Sequence, residues 1–232
     1  MTDILHDQNP GAPPDLNHPH LAICPPAPTL RAPPPESLTD GTVTIRRWQP
    51  SDADALFRII TASRERLAAW MPWAARATTY ERDEAVAFTE RTHRRWERDE
   101  GWDYAITIGG AGKEKNDDEG DDEEEAAAAA VVIGSCGLRR RDDHPGVDAG
   151  YWLADGHTGS GHATAAVRLL TAQALGGMGA PSVRIVHDEA NERSRGVPRR
   201  LGFECQGEVD AEDNPEGRRD TVWVKYPDPV QG

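Results

Sequence analysis

A run of small and polar residues, Ala154-Asp155-Gly156-His157-Thr158-Gly159-Ser160-Gly161-His162-Ala163-Thr164, stands between strand-like and helix-like text. Before it, Val147 to Leu153 has the β-branched and aromatic content of a strand. After it, Ala163, Ala166, Val167, Leu170 and Ala174 recur at helical spacing, and Gly176-Gly177 supplies the stop. A glycine-rich turn that opens a helix points backbone N–H groups at one spot, and the helix dipole adds partial positive charge. The chemistry on offer is capture of a phosphate, with Gly159 and Gly161 leaving the main chain bare. A tight turn without a ligand asks for the same glycines, so spacing alone leaves both readings open. Two phosphate motifs are excluded. No lysine follows Gly161, as a Walker A loop requires, and the glycines do not fall at the Rossmann offsets.

From Asp148 to Thr164 the sequence resembles motif A of the GNAT N-acetyltransferase superfamily. That pattern, Gln/Arg-x-x-Gly-x-Gly/Ala, falls on Thr158-Gly159-Ser160-Gly161-His162-Ala163. The resemblance implies that main-chain amides of this turn hold the pyrophosphate of acetyl-CoA as cosubstrate, with Trp152 and Leu153 of the preceding strand beside it. Thr158 departs from the expected Gln or Arg, which should weaken the site without abolishing it. Asn191-Glu192-Arg193-Ser194, closing through Leu201-Gly202-Phe203, resembles motif B, where the Asn contacts the pantetheine arm. Ser63 to Trp73 is similar to the Trp-x-Pro-Trp segment of the ribosomal-protein-serine/alanine N-acetyltransferase branch, and the ending Gly207 to Asp220 follows that branch too.

The implied reaction moves an acetyl group from the CoA thioester to a primary amine, either a protein N-terminal α-amino group or a small amine. An ammonium must first lose a proton, its pKa being near ~8 for an α-amino group and ~10 for lysine. The leaving thiolate gains from a nearby donor, and no metal is called for. A backbone N–H of the splayed central strand would stabilise the developing oxyanion. The resemblance assigns the donor to Ser194, which also reads as a helix cap, and the base to Glu212 or Asp213 in the loop between the last two strands. Many family members carry a Tyr where this chain has Pro198. Trp70 and Trp73 would border the acceptor, and they read equally well as core aromatics after a helix. The rival reading is a catalytically degenerate GNAT-fold module that binds acyl-CoA without turnover, favoured by Thr158, Gly196 and Pro198.

These residues need a scaffold, and the text supplies one. Strands are expected at 42–48, 102–108, 131–138, 147–153, 182–187, 203–209 and 221–226. Helices are expected after Pro50, over 64–70, after a Thr78/Glu81 capping box, over 163–175 and over 191–201. The fold class is α+β: a mixed, mostly antiparallel twisted sheet with helices on both faces, to which the resemblance adds a splayed central strand pair. Gly196 and Pro198 threaten the last helix with a kink or a late start, which would displace Asn191 and Ser194.

Ten of the eighteen prolines lie in residues 1–40, expected as a disordered tail ahead of an acetyltransferase domain at 41–228. Residues 110–129, acidic and then alanine-rich, read as a disordered insertion at a hairpin tip. Hydrophobic content of 37% is low enough to accommodate such segments. The net charge of −14 argues against nucleic acid and anionic membranes as partners, although residues 113–125 alone carry nine acids against two bases. Without a signal or a transmembrane run, the cytoplasm is the expected location, as a monomer or homodimer. Cys24, Cys136 and Cys205 make neither a zinc pattern nor a disulfide framework; Cys136 and Cys205 are expected as small core residues.

Overall fold

A computed structural model describes residues 30–76, 79–109, 130–211 and 218–229. Eight strands form one sheet: β1 (Ser37–Thr39), β2 (Thr44–Arg47), β3 (Gly101–Ile108), β4 (Val131–Arg140), β5 (Val147–Leu153), β6 (Val183–Asp188), β7 (Glu204–Asp210) and β8 (Arg219–Lys225). Their spatial order is β1-β2-β3-β4-β5-β6-β8-β7. Every neighbouring pair is antiparallel except β5 and β6, the central pair, which run parallel.

Among the described residues five α-helices accompany the sheet: α1 (Ala53–Ala68), α2 (Pro72–Arg76), α3 (Arg82–Glu97), α4 (His162–Ala172) and α5 (Glu192–Arg200). Strand alternation divides the core in two. On one face Tyr104, Ile106, Leu138, Val183 and Ile185 pack with Val167 and Leu170 of α4. On the other, Ala105 and Val132 meet Trp48, Leu56 and Ile60 of the α1 side and Ala85 of α3. The α+β architecture follows the patterning.

Several boundaries differ from the expected ones. The separate helix at 64–70 does not exist, because α1 runs unbroken to Ala68 and buries Leu56, Ile60, Ser63 and Leu67 along one stripe. Nothing interrupts that stripe before Pro72, which opens α2 instead. Thr78 lies outside the described residues; at α3 the Glu81 N–H is held by the Glu84 carboxylate at 2.7 Å. Residues 30–40 of the proline-rich segment pack on the domain. Leu30 is buried, β1 pairs with β2, and the Tyr104 hydroxyl donates to the Pro35 carbonyl at 2.9 Å. Residues 1–29 and the insertion at 110–129 lie outside the described residues. Cys136 is buried as expected, but Cys205 is exposed, since β7 is an edge strand with almost every side chain in solvent.

Candidate active site

The parallel pair at the centre of the sheet is joined at one end only. Val147 opposes Val183 and Asp148 opposes Arg184; from Ala149 onward β5 has no register partner in β6. A charged clamp fixes the closed end. Arg184 grips the Asp148 carboxylate through Nε at 2.7 Å and Nη2 at 3.0 Å, and reaches Asp143 through Nη1 at 3.0 Å. Burial alone would raise the Asp148 carboxyl, but its bonds to His144 and Arg184 outweigh that and hold it below its ordinary range. Beyond the clamp the strands part. The main chain of residues 149–153 that turns toward β6 is therefore left for another partner.

The glycine turn follows directly. Gly159 and Gly161 have φ of 85° and 86°, a backbone region that excludes almost every side chain. Helix α1 anchors this turn from the far face: Ser63 Oγ accepts the Asp155 N–H at 2.8 Å, and Arg66 bonds both the Asp155 carboxylate and the Leu153 carbonyl. Gly161 is the N-cap of α4 and supplies no side-chain cap, so the first-turn amides keep their hydrogen-bonding capacity and the dipole's positive end. Thr158, Ser160, His162 and Ala163 complete this curve. Arg200, from the end of α5, donates to Thr164 Oγ1 at 3.0 Å and sets a cation beside the first turn of α4.

Helix α5 starts where the sequence places it. Asn191 is its N-cap, with Oδ1 accepting the Ser194 N–H at 3.0 Å. Pro198 lies inside the helix without breaking it. In a regular helix residue 198 would donate to the carbonyl of residue 194, and proline has no N–H to give. The Tyr151 hydroxyl takes its place, donating to the Ser194 carbonyl at 3.0 Å and lying 2.9 Å from Ser194 Oγ. Burial pushes the Tyr151 phenol up to about 12, although the Ser194 bond and Arg200 pull the other way. Asn191 and Ser194 are thus not displaced, and Ser194 is tied to the strand that borders the opening.

On the opposite face, Trp73 of α2 lies 6.2 Å from Trp152 of β5 between ring centroids. Trp70 sits under the Arg218 guanidinium at 5.7 Å, and Arg218 in turn bonds Asp188 of β6 at 2.8 Å. Trp73 and Trp152 thus meet on one face of β5, Tyr151 and Ser194 meet on the other, and Asn191 follows the end of β6, its N–H bonded to the Asp188 carbonyl. Glu212 and Asp213 lie outside the described residues. Tyr151, Arg200 and Asp220 escaped the sequence reading. Tyr151 looks like any inward aromatic of a strand, Arg200 like a solvated helix end, and Asp220 like loop charge; only register and the Pro198 gap reveal their neighbours. Among the described residues no cluster of three His, Cys, Asp or Glu side chains is placed to hold a metal ion.

A half-open parallel pair above an uncapped glycine turn defines an acetyltransferase of the GNAT type. The model of the acetyltransferase (GNAT) domain matches residues 42–204, and the chain belongs to that family. YdaF of Bacillus subtilis (strain 168), provisionally named as a ribosomal N-acetyltransferase, is 28% identical over 168 residues, 72% of this chain and 80% of its own. The solved structure of RimL, a ribosomal L7/L12 alpha-N-protein acetyltransferase in complex with coenzyme A, aligns with TM-score 0.67 and 16% identity, over 83% of this chain and 99% of its own. The Microcin C7 self immunity acetyltransferase MccE, in complex with acetyl-CoA and AMP, aligns with TM-score 0.64 and 18% identity, over 81% and 93%.

Proposed function

We propose that this protein is an acetyl-CoA-dependent N-acetyltransferase whose acceptor is a primary amine, either a protein N-terminal α-amino group or a small amine. The observation that carries this reading is the loss of pairing between β5 and β6 after Asp148 and Arg184, directly before the glycine turn. Ribosomal-protein acetyltransferases among the relatives favour a protein N-terminus.

In this reading the amides of residues 158–163 and the side chain of Arg200 hold the diphosphate. The pantetheine arm lies along the unpaired edge of β5, past Trp152 and Leu153, with the Asn191 amide as a further donor. A β5 amide receives the thioester oxygen, so the amine meets a polarised carbonyl and proximity supplies much of the acceleration. Ser194 turns its hydroxyl from Tyr151 to the departing sulfur as the thiolate forms, while Tyr151 stays bonded to the Ser194 carbonyl. Trp70 and Trp73 border the acceptor entrance. The family resemblance gives the base as Glu212 or Asp213. The catalytic unit is residues 41–228, with β1 and the residues leading into it packed on its edge, working in the cytoplasm.

Titration calorimetry with acetyl-CoA tests the cofactor half of the proposal. Gly161→Glu places a carboxylate and a strained left-handed residue where the diphosphate sits, and should weaken binding at least tenfold. Thiol release with a panel of amines tests the transfer half. Binding without release from any amine would favour the degenerate module, which Thr158 and Pro198 support from sequence.

A further inference from the structure

We propose that Asp220 is the catalytic base that takes the proton from the acceptor's ammonium group, with Asp188, engaged by Arg218 and the Ala190 N–H, as its neighbour on β6. The inference rests on the acetyl-transfer reading above.

The sheet places these groups side by side on one flank of the opening. Asp188 and Asp220 are register partners of β6 and β8. Ile185 and Trp223 of the same strands point into the core against α4. Alternation therefore puts Asp188 and Asp220 on the other face, with Trp152. Continuing the offset of the two paired positions in β5 and β6 sets Asp188 level with Trp152. Across this face the order is Trp152, the gap left by the parting strands, Asp188, then Asp220. Trp73 covers the first of these, and Arg218 draws Trp70 over the third. Val186 and Val222, next along the strands, are only half-buried among the described residues.

Asp220 is 9% exposed, and its side chain makes no hydrogen bond or ion pair among the described residues. A carboxylate taken out of water without a partner is a cost to the fold, and an incoming ammonium removes it. Among the described residues few charged groups face it. Asp188 faces it from β6, and Arg218 is held by Asp188 and Trp70. From β7 the facing residue is Val209, while Glu208, Asp210 and Arg219 pair with one another on the reverse of the hairpin. Burial, reinforced by the charge of Asp188, pushes the Asp220 carboxyl to about 6. A carboxylate tuned to that range is a competent proton acceptor near neutral pH.

The step balances with the groups in place. The Asp220 carboxylate takes one N–H proton from the ammonium. The freed lone pair forms the C–N bond at the thioester carbon, the C–S bond breaks, and its electron pair leaves on sulfur. A second N–H proton departs as the amide forms and ends on that sulfur, which Ser194 holds by a hydrogen bond.

The test is Asp220→Asn, with kcat/KM for the amine followed from pH 5 to 9 by thiol release and acetyl-CoA affinity followed by calorimetry. Loss of a general base is worth about 100- to 10,000-fold. We expect a fall of at least 100-fold at pH 7, unchanged acetyl-CoA affinity, and a deficit that narrows at alkaline pH as the amine loses its proton unaided. Asp220→Glu, which keeps the carboxylate, should recover most of the rate and restore the acid limb of the profile. Activity within threefold of the parent in Asp220→Asn, with loss instead in Glu212→Gln or Asp213→Asn, overturns the assignment. A parent protein that binds no acetyl-CoA defeats the transferase reading itself, and the inference with it.

Discussion

Tyr151→Phe and Pro198→Ala, alone and together, form a double-mutant cycle whose outcome follows from one missing hydrogen. Pro198 leaves the Ser194 carbonyl without its helical donor, and the Tyr151 hydroxyl supplies one at 3.0 Å. Removing the hydroxyl strands a partly buried carbonyl, which costs about 1–3 kcal/mol. The same change loses the contact with Ser194 Oγ, itself worth about 1 kcal/mol net. In the Pro198→Ala background the new N–H at 198 can bond the Ser194 carbonyl directly, so only the second loss remains. Tyr151→Phe should therefore cost about 2–4 kcal/mol in the parent and about 1 kcal/mol in Pro198→Ala, a coupling of about 1–3 kcal/mol. Urea denaturation of the four proteins at pH 7 measures each quantity, with m-values checked for constancy. Additivity within about 0.3 kcal/mol would refute the reasoning: the hydroxyl would then not be answering for the proline.

Two further outcomes are expected. Asp148→Asn breaks the clamp at the closed end of the central pair and should destabilise the domain by about 3 kcal/mol at pH 7. Because the folded state holds this carboxyl below its ordinary 3.8, its contribution is present above that pH and lost as pH falls below it; the gap between parent and variant, read by denaturation, should close in that acid window. In a Cys24→Ser background one thiol, Cys205, should react with a thiol reagent in the native protein. Cys136, buried and with its thiol pushed up by burial and by Asp103, should react only on unfolding.

The parts of the site that rest on backbone conformation were legible from sequence. Gly159 and Gly161 are there because the turn runs left-handed, and Asn191 because a helix start wants a short acceptor; both demands show in residue type alone. The parts that rest on which strand lies beside which were not. Cys205 sits in alternating text that promises a buried face, but alternation cannot say that β7 is an edge with solvent on both sides. The three-residue β1, with Leu38 its one apolar residue, is too short to show a pattern of its own and exists because β2 offers it an edge. Asp188 and Asp220 are far apart in sequence, and only the crossing of β8 between β6 and β7 makes them neighbours.

Pro198 shows how a local rule and the fold interact. Read as sequence, it threatens a kink or late start in the helix that must carry Asn191 and Ser194, and by the resemblance it stands where many family members carry a tyrosine. In the fold the broken bond falls on the carbonyl of Ser194 itself, and a tyrosine from β5 mends it. That repair links the helix to the strand lining the opening, at the residue whose hydroxyl faces the departing sulfur in the proposed reaction. A tyrosine at 198 would bond the Ser194 carbonyl through its own amide and leave Tyr151 only the hydroxyl contact. The proline thus couples Ser194 to β5 more tightly than a regular helix would.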